Sequence, residues 1–259
     1  MNHRCLYCYN QLDEGQVDFH LSCATDLFGC ATAPLYPFEA PNSELFNADC
    51  VAENSVCALL EALSMRMAQS ALILTVPNSL VRNREGGLIH VKKYDPQAET
   101  IGELIARLDG CEFDDSFEMV AELVEDFSSI SRLDLVTLFE HLIFGWIVGC
   151  NTMGVDSFAL SRPNAGVCSL TPIFRVVPAF EGDELALTLS GKRDNIRRSD
   201  FESAMRYMGL KDRIIRITIE KMIKAKEQWL NQIESSVLSD DDKRRFSELV
   251  CSRLQRLNK

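Results

Sequence analysis

At 259 residues, with 46% hydrophobic and 25% charged residues, the chain is long enough for one large domain or two smaller ones and has the composition of an ordinary globular protein. A net charge of −11 opposes direct nucleic-acid binding, which needs a local excess of Lys and Arg, although Lys192, Arg193, Arg197 and Arg198 form one basic run. No apolar run approaches the roughly 20 residues that span a bilayer and the N-terminus lacks a signal-peptide layout, so the expectation is a cytoplasmic protein without membrane contact, its ten cysteines reduced and some of them metal-binding.

Residues 1 to 30 hold four of those cysteines, and residues 31 to 48, rich in Pro and Ala, read as a linker. From Ala52 to Gln69 the apolar residues Val56, Leu59, Leu60, Leu63 and Met67 repeat at helical spacing, and the run Leu72 to Val76 predicts a strand. A turn at Asn83 to Gly87 then leads into Leu88 to Tyr94, its hairpin partner. Phe117 to Phe127 and Leu133 to Val148 keep helical spacing, with Ser116 and Ser131 placed as N-caps. The second of these is apolar around much of its circumference, which predicts a buried, central helix. After an irregular loop, Leu185 to Leu189 reads as a short strand, and Ser199 with Glu202 has the reciprocal pattern of a capping box. Helices over 211 to 234 and 240 to 257 close the chain, the last opened by Ser239.

Cys5-x2-Cys8 and His20-x2-Cys23 are two ligand pairs, each spaced so that one tight turn aims both side chains at one ion. A Cys3His set suits tetrahedral zinc with no open position, a structural rather than catalytic role. The plainer alternative is a hairpin with buried thiols; two such pairs so close together favour the metal. Cys30 lies outside the spacing.

CLYCYNQLDEGQVDFHLSCATDLFG at the N-terminus, VKKYDP over 91 to 96, LDLVTLFEHLIFGWIVG over 133 to 149 and ELALTLSGKRDNIRRSDFESAMRYMGL over 184 to 210 resemble, in order, segments of the short zinc-knuckle branch of the HipA-like serine/threonine kinases. The resemblance implies an α+β, HipA/protein-kinase-like bilobal fold: a zinc-knuckle segment (1–30), a linker (31–48), a truncated small lobe (49–96) and a mainly helical large lobe (97–259). Phosphoryl transfer needs a phosphate-cradling loop with a lysine, a carboxylate for the hydroxyl, and carboxylate or amide ligands for magnesium. Where the family's catalytic loop reads like GNxDxHxKNFSL, this chain has Gly149 to Leu160, GCNTMGVDSFAL. Thr152 stands at the place of the catalytic aspartate, Gly154 at that of the histidine and Ser157 at that of the magnesium-binding asparagine, while Gly149, Phe158 and Leu160 keep the frame. In LTPIFRVV (170 to 177), Arg175 takes the place of the family's second metal-binding aspartate, where an ion pair with Asp156 is expected.

No Gly-rich loop precedes Glu53, and Lys92 and Lys93 lie on a later strand than a phosphate-facing lysine would. His90 and His141 have no carboxylate or nucleophile motif beside them, and His141 reads as a core histidine. Glu53-Asn54 resembles an acidic family motif and reads equally well as a helix-start charge, while Asp114-Asp115 and Asp240 to Asp242 read as helix-start charges rather than metal ligands. The resemblance therefore implies a degenerate kinase, a protein-binding or regulatory module of a bacterial toxin-antitoxin or related system. Its partner would be a small antitoxin or a kinase paralogue. Structural zinc is expected, and ATP with magnesium is not. The competing reading is an active serine/threonine kinase in which Asp156 serves the metal.

Overall fold

A computed structural model describes residues 4–29, 46–47, 55–82, 87–93, 95–108, 112–164, 166–180 and 182–259. Cys30, most of the expected linker, Glu53 with Asn54, Tyr94 and the expected turn residues 83–86 lie outside the described residues. Helix α1 (Leu21–Phe28) begins within the second ligand pair, just after His20 and with Cys23 in its first turn. Strand β1 (Phe46–Asn47), at the end of the expected linker, joins β2 (Asn78–Arg82) and β3 (Leu88–Lys93) in an antiparallel sheet of order β1-β3-β2. Helix α2 (Ser55–Ser70) carries the expected apolar stripe.

The hairpin is present but its first arm is not the predicted one. Leu88–Lys93 pairs with Asn78–Arg82, while Leu72 to Val76 stays outside the sheet and makes one bridge, from Thr75 to Ile173. Leu72 has φ +57° and is 83% exposed, Leu74 is 71% exposed, and only Ile73 and Val76 turn inward. The run alternates sides, as a strand would, but Pro77 separates it from the hydrogen-bonded ladder that starts at Asn78.

A second sheet, absent from the sequence reading, has the order β4 (Ala98–Thr100), β5 (Ala159–Asn164), β6 (Val167–Leu170). Helix α3 (Ile101–Arg107) opens with a capping box: Glu103 N donates to Thr100 Oγ1 (3.1 Å) and Thr100 N to Glu103 Oε2 (2.8 Å). Helix α4 (Phe117–Phe127) is capped by Ser116 as expected, through Met119 N to Ser116 Oγ at 3.0 Å. Helix α5 (Ser131–Ile147) includes Ser131 as its first residue, so that serine is no cap; Ser128 Oγ accepts from Ile130 N instead (3.0 Å).

Leu185 to Leu189 forms no strand. Thr188 O accepts from Phe117 N (2.9 Å), and Leu189 exchanges hydrogen bonds with Lys192 around Ser190 and Gly191, both at positive φ. Helix α6 (Arg198–Tyr207) starts one residue before Ser199, so the predicted box does not form. Asp200 Oδ2 accepts from Arg197 N (2.8 Å), and Glu202 pairs with Arg198 at 2.7 Å. The expected helix over 211 to 234 is two, α7 (Asp212–Lys224) and α8 (Lys226–Ser235), meeting at Ala225. Helix α9 (Asp240–Leu257) starts at Ser239, whose Oγ accepts from Asp242 N (3.2 Å).

As predicted, α5 is central. Trp146 packs edge-on against Phe201 of α6 and Phe144 against Trp229 of α8, with ring centroids 5.3 and 5.5 Å apart. Trp229 Nε1 donates to Met67 O (2.8 Å), which ties α8 to α2. Among the described residues no helix is long and apolar enough to cross a membrane.

Candidate functional site

Cys5 N donates to Asn10 O and Tyr9 N to Cys5 O, each at 2.9 Å, closing a tight turn that places Cys5 beside Cys8. His20 precedes α1 and Cys23 lies in its first turn, so the helix start aims the second pair at the same point. The ligand atoms of Cys5, Cys8, His20 and Cys23 all lie within 4.8 Å of one another, a group able to hold a metal ion. His20 Nδ1 is 3.3 Å from Cys8 Sγ and 3.8 Å from Cys23 Sγ. A tetrahedral ion with metal–sulfur and metal–nitrogen bonds of zinc length sets such ligands about 3.6 Å apart. His20 Nε2 donates to the Gln11 carbonyl (2.9 Å), leaving Nδ1 as the lone-pair nitrogen. Burial opposes a thiolate at Cys5, but N–H groups of Cys8, His20 and Tyr7 outweigh it and hold the thiol below its ordinary value. Burial and the nearby Cys5 push Cys23 up to about 12. Ionising both calls for a cation between them.

The cluster does not stand apart from the sheet. Leu6, Tyr9, Phe19 and Phe28 share one hydrophobic cluster with Ala62 of α2 and with Leu80, Val81 and Val91 of β2 and β3. Arg66 sits 4.5 Å over the Tyr9 ring, and Arg82 Nε donates to Asp18 at 2.8 Å.

A cleft of about 570 Å³ opens between β3, the β4–α3 junction and the segment 171–177; its lining includes Lys92, Lys93, Asp95, Asp156 and Arg175. Behind Lys92 lies a buried polar network centred on Glu61 of α2. Glu61 Oε1 accepts from Lys92 Nζ (3.1 Å) and Val176 N (3.3 Å), and Oε2 meets His90 Nδ1 at 2.9 Å. His90 Nε2 lies 3.1 Å from Asn78 Oδ1, an orientation fixed because Asn78 Nδ2 donates to Val76 O (2.8 Å). Burial pushes the Glu61 carboxyl up, yet His90 and Lys92 together hold it at about 2. Burial pulls the His90 ring down from its ordinary value against the pull of Glu61.

Glu61 is thus the carboxylate that the sequence reading did not find beside His90. Two signals point to it: a lone Glu among Leu59, Leu60, Ala62 and Leu63, and the alternation that puts His90 and Lys92 on one face of β3. His141, in contrast, is a core histidine as expected, driven to about 3 by burial and by Lys221. The anticipated ion pair between Asp156 and Arg175 does not form. Asp156 Oδ1 accepts from Thr100 Oγ1 (3.3 Å) above Gly102, where the start of α3 favours negative charge. Arg175 makes no ion pair with the described residues.

Residues 40–230 match the sequence model of the HipA-like C-terminal domain. The chain belongs to this family. Among solved structures it is similar to HipA of Shewanella oneidensis MR-1, in the toxin-antitoxin complex with HipB and operator DNA, with TM-score 0.65 and 12% identity over 82% of this chain and 58% of that one. It is also similar to the Helicobacter pylori proinflammatory kinase CtkA, with TM-score 0.61 and 10% identity over 79% of this chain and 85% of that one. The chain spans 58% of the HipA chain it matches, and at such identities the likeness is one of fold. Comparison with curated proteins gave no match. These findings bear out the resemblance to the HipA-like kinase family, with the VKKYDP and RSDFE segments inside the matched residues, and the mixed α/β fold with kinase-like neighbours.

In this HipA-like chain the residues that keep the family frame have packing roles. Gly149 has φ +80°, and a Cβ there would lie 2.9 Å from Ala179 O and 2.6 Å from Leu249. Phe158 meets Phe117 edge-on at 6.2 Å, its carbonyl accepts from Ile101 N, and Leu160 is buried in β5. Thr152, Gly154 and Ser157 lie in the turn and short 3-10 helix between them and do not reach the cleft lining. Asp156 and Arg175 do.

Proposed function

We propose that this HipA-like chain is a pseudokinase, a binding or regulatory module of a bacterial toxin-antitoxin system that acts through its surface and whose partner is a protein such as a small antitoxin or a kinase paralogue. The observation that carries this reading is Arg175 in the cleft wall. A guanidinium offers no lone pair to magnesium and repels it. The cleft carboxylates are engaged elsewhere: Asp156 with Thr100, and Asp95 with Ser161 Oγ (2.6 Å) and Gln97 N (3.0 Å). Thr152, Gly154 and Ser157 supply no carboxylate or amide at the positions where transfer would need them. On this reading residues 1–30 form a zinc-knuckle segment, 31–48 a linker, 49–96 a truncated small lobe and 97–259 the helical lobe, and Cys5, Cys8, His20 and Cys23 hold a structural zinc. The complex of the Shewanella HipA with HipB supports a protein partner of the antitoxin kind.

The test is incubation with magnesium, labelled ATP and candidate substrate proteins. The expected outcome is no label on the chain or on any added protein. Magnesium-dependent transfer that disappears in Asp156→Ala would sink the proposal in favour of an active kinase.

A further inference from the structure

Away from the cleft and the knuckle, five large apolar side chains stand exposed along one face of the molecule: Val167, Ile130, Leu133, Ile217 and Leu72. Resting on the reading that the chain acts through its surface on a protein partner, we propose that this face docks an amphipathic helix of a different protein, with its apolar stripe on these residues and with acidic flanks.

Hydrogen bonds and one ion pair join the five into a line. Ser129 N donates to Cys168 O (2.7 Å) and Ser129 Oγ accepts from Cys168 N (2.9 Å), which sets Ile130 beside Val167, and Leu133 N donates to Ile130 O (2.9 Å). From there α5 and α7 run side by side in the same direction. Arg132 Nη1 donates to Met208 O (2.9 Å) just ahead of α7, and Glu140, two turns beyond Leu133, meets Lys221 Nζ at 2.8 Å. Lys221 also donates to Leu72 O (3.0 Å), and Ile217 lies one turn before it on α7. Leu72 is held in the left-handed region at φ +57°, which leucine enters at a steric cost that glycine or asparagine avoids. Backbone strain under a water-exposed leucine is what a binding residue shows, not a core residue.

The charges select the occupant. Arg213, Arg216 and Lys224 are exposed on the same side of α7 as Ile217, and Glu220, 3.9 Å from both Arg216 and Lys224, is shared between them. This side of α7 is therefore net positive on a chain whose net charge is −11, and it attracts an acidic partner. A second copy of the chain fits poorly: a twofold axis through Glu220 would set Arg216 against Lys224, and one through Ile217 would set Arg213 against Lys221. An added strand finds no open edge at the Val167 end, because Cys168 N is taken by Ser129 Oγ and Leu170 N by Asp134 Oδ2 (2.7 Å). Two parallel helices leave a shallow groove between them. A helix with leucine-type side chains at i, i+3, i+4 and i+7 fits such a groove.

Fluorescence anisotropy with the full chain tests this. The probe is a labelled, designed helix of about five turns with leucines at that spacing and glutamates between them, and its twin carries lysine in place of each glutamate. The expected result is saturable binding of the acidic helix at or below about 0.1 mM, weakened by salt, with the lysine twin at least about tenfold weaker. Leu72→Asn, which suits the left-handed backbone and so keeps the fold, Leu133→Gln and Lys224→Glu should each weaken it about fivefold or more. The inference is overturned if the acidic helix does not bind at about 1 mM, if the twin binds as well, or if Leu72→Asn and Leu133→Gln both bind like the parent. Sedimentation adds a second check: a dimer of the parent that both variants dissolve identifies a second copy as the occupant and overturns the inference as well. The transfer assay separates the failures. No helix binding and no transfer removes only this inference, whereas magnesium-dependent transfer removes the pseudokinase reading and leaves the docking face to the titration.

Discussion

Glu61 shows how one carboxylate can tie a helix, a strand and a loop segment together. It reaches from α2 to His90 and Lys92 on β3 and to the Val176 amide, with its own side chain fully buried. A buried acid in this position is costly unless each oxygen is satisfied, and removing such a partner strands the remaining charges. Because its folded-state value is held down to about 2, against 4.5 for an ordinary glutamate, its contribution is fully present above about pH 4.5 and is lost as the pH falls through 2. That depression corresponds to a contribution of about 3 kcal/mol. Urea unfolding of the parent and Glu61→Gln should therefore differ by roughly that amount at pH 6, with the gap closing toward pH 2. A gap that stays constant over the window would mean that Glu61 is not the ionised centre of the network.

At the scale of the element, caps decided what the sequence could reveal. Helix α9 combines Ser239 at the cap with Asp240, Asp241 and Asp242 in its first turn, all placed correctly by pattern alone. Ser239→Ala removes the acceptor for Asp242 N and should cost about 1 kcal/mol in denaturant unfolding. No measurable change would show that the three aspartates hold the terminus without it. The same reasoning was legible for α4 and Ser116, and the all-round apolarity of α5 gave its central position. It failed where tertiary contacts chose between local options. At α6 the pattern offered Ser199 with Glu202, but Lys192 holds Asp200 at 2.7 Å, Asp200 caps the Arg197 amide, and Glu202 is left to Arg198. Leu72 to Val76 and Leu185 to Leu189 are apolar runs of strand length whose carbonyls and amides find partners in single bridges and turns, which no local pattern reports. The two cysteine–histidine ligand pairs were legible because two turns suffice to assemble them. The cleft was legible only as a list of losses, since the network behind Lys92 joins residues from α2, β2, β3 and the 173–176 segment.

Across the whole molecule the buried apolar residues fall into two clusters, a large one around α5 and a smaller one beneath the knuckle. Helix α2 lies between them: Leu60, Leu63 and Met67 belong to the first, Ala62 to the second, and Leu59 packs against both. The smaller cluster has few large side chains of its own, so a bound metal would supply a large share of its stability, of order 10 kcal/mol in isolated knuckles. Its removal should then act unevenly. After chelation, or in Cys5→Ser, amides of α1, β2 and β3 should exchange with deuterium much faster. Those of α5 and α9, whose burial depends on Trp146, Phe246 and Val250, should keep their protection. Metal analysis of protein purified without chelator supplies the reference, with about one equivalent of zinc expected. Less than roughly half an equivalent, with Cys5→Ser exchanging like the parent, would instead identify the cluster as buried thiols in a hairpin. Loss of protection spreading equally into α5 would show that α2 couples the two clusters into one cooperative unit. The knuckle would then set the stability of the cleft as well as of its own sheet, because α2 carries Glu61 to Lys92 of the cleft lining and Ala62 to the knuckle.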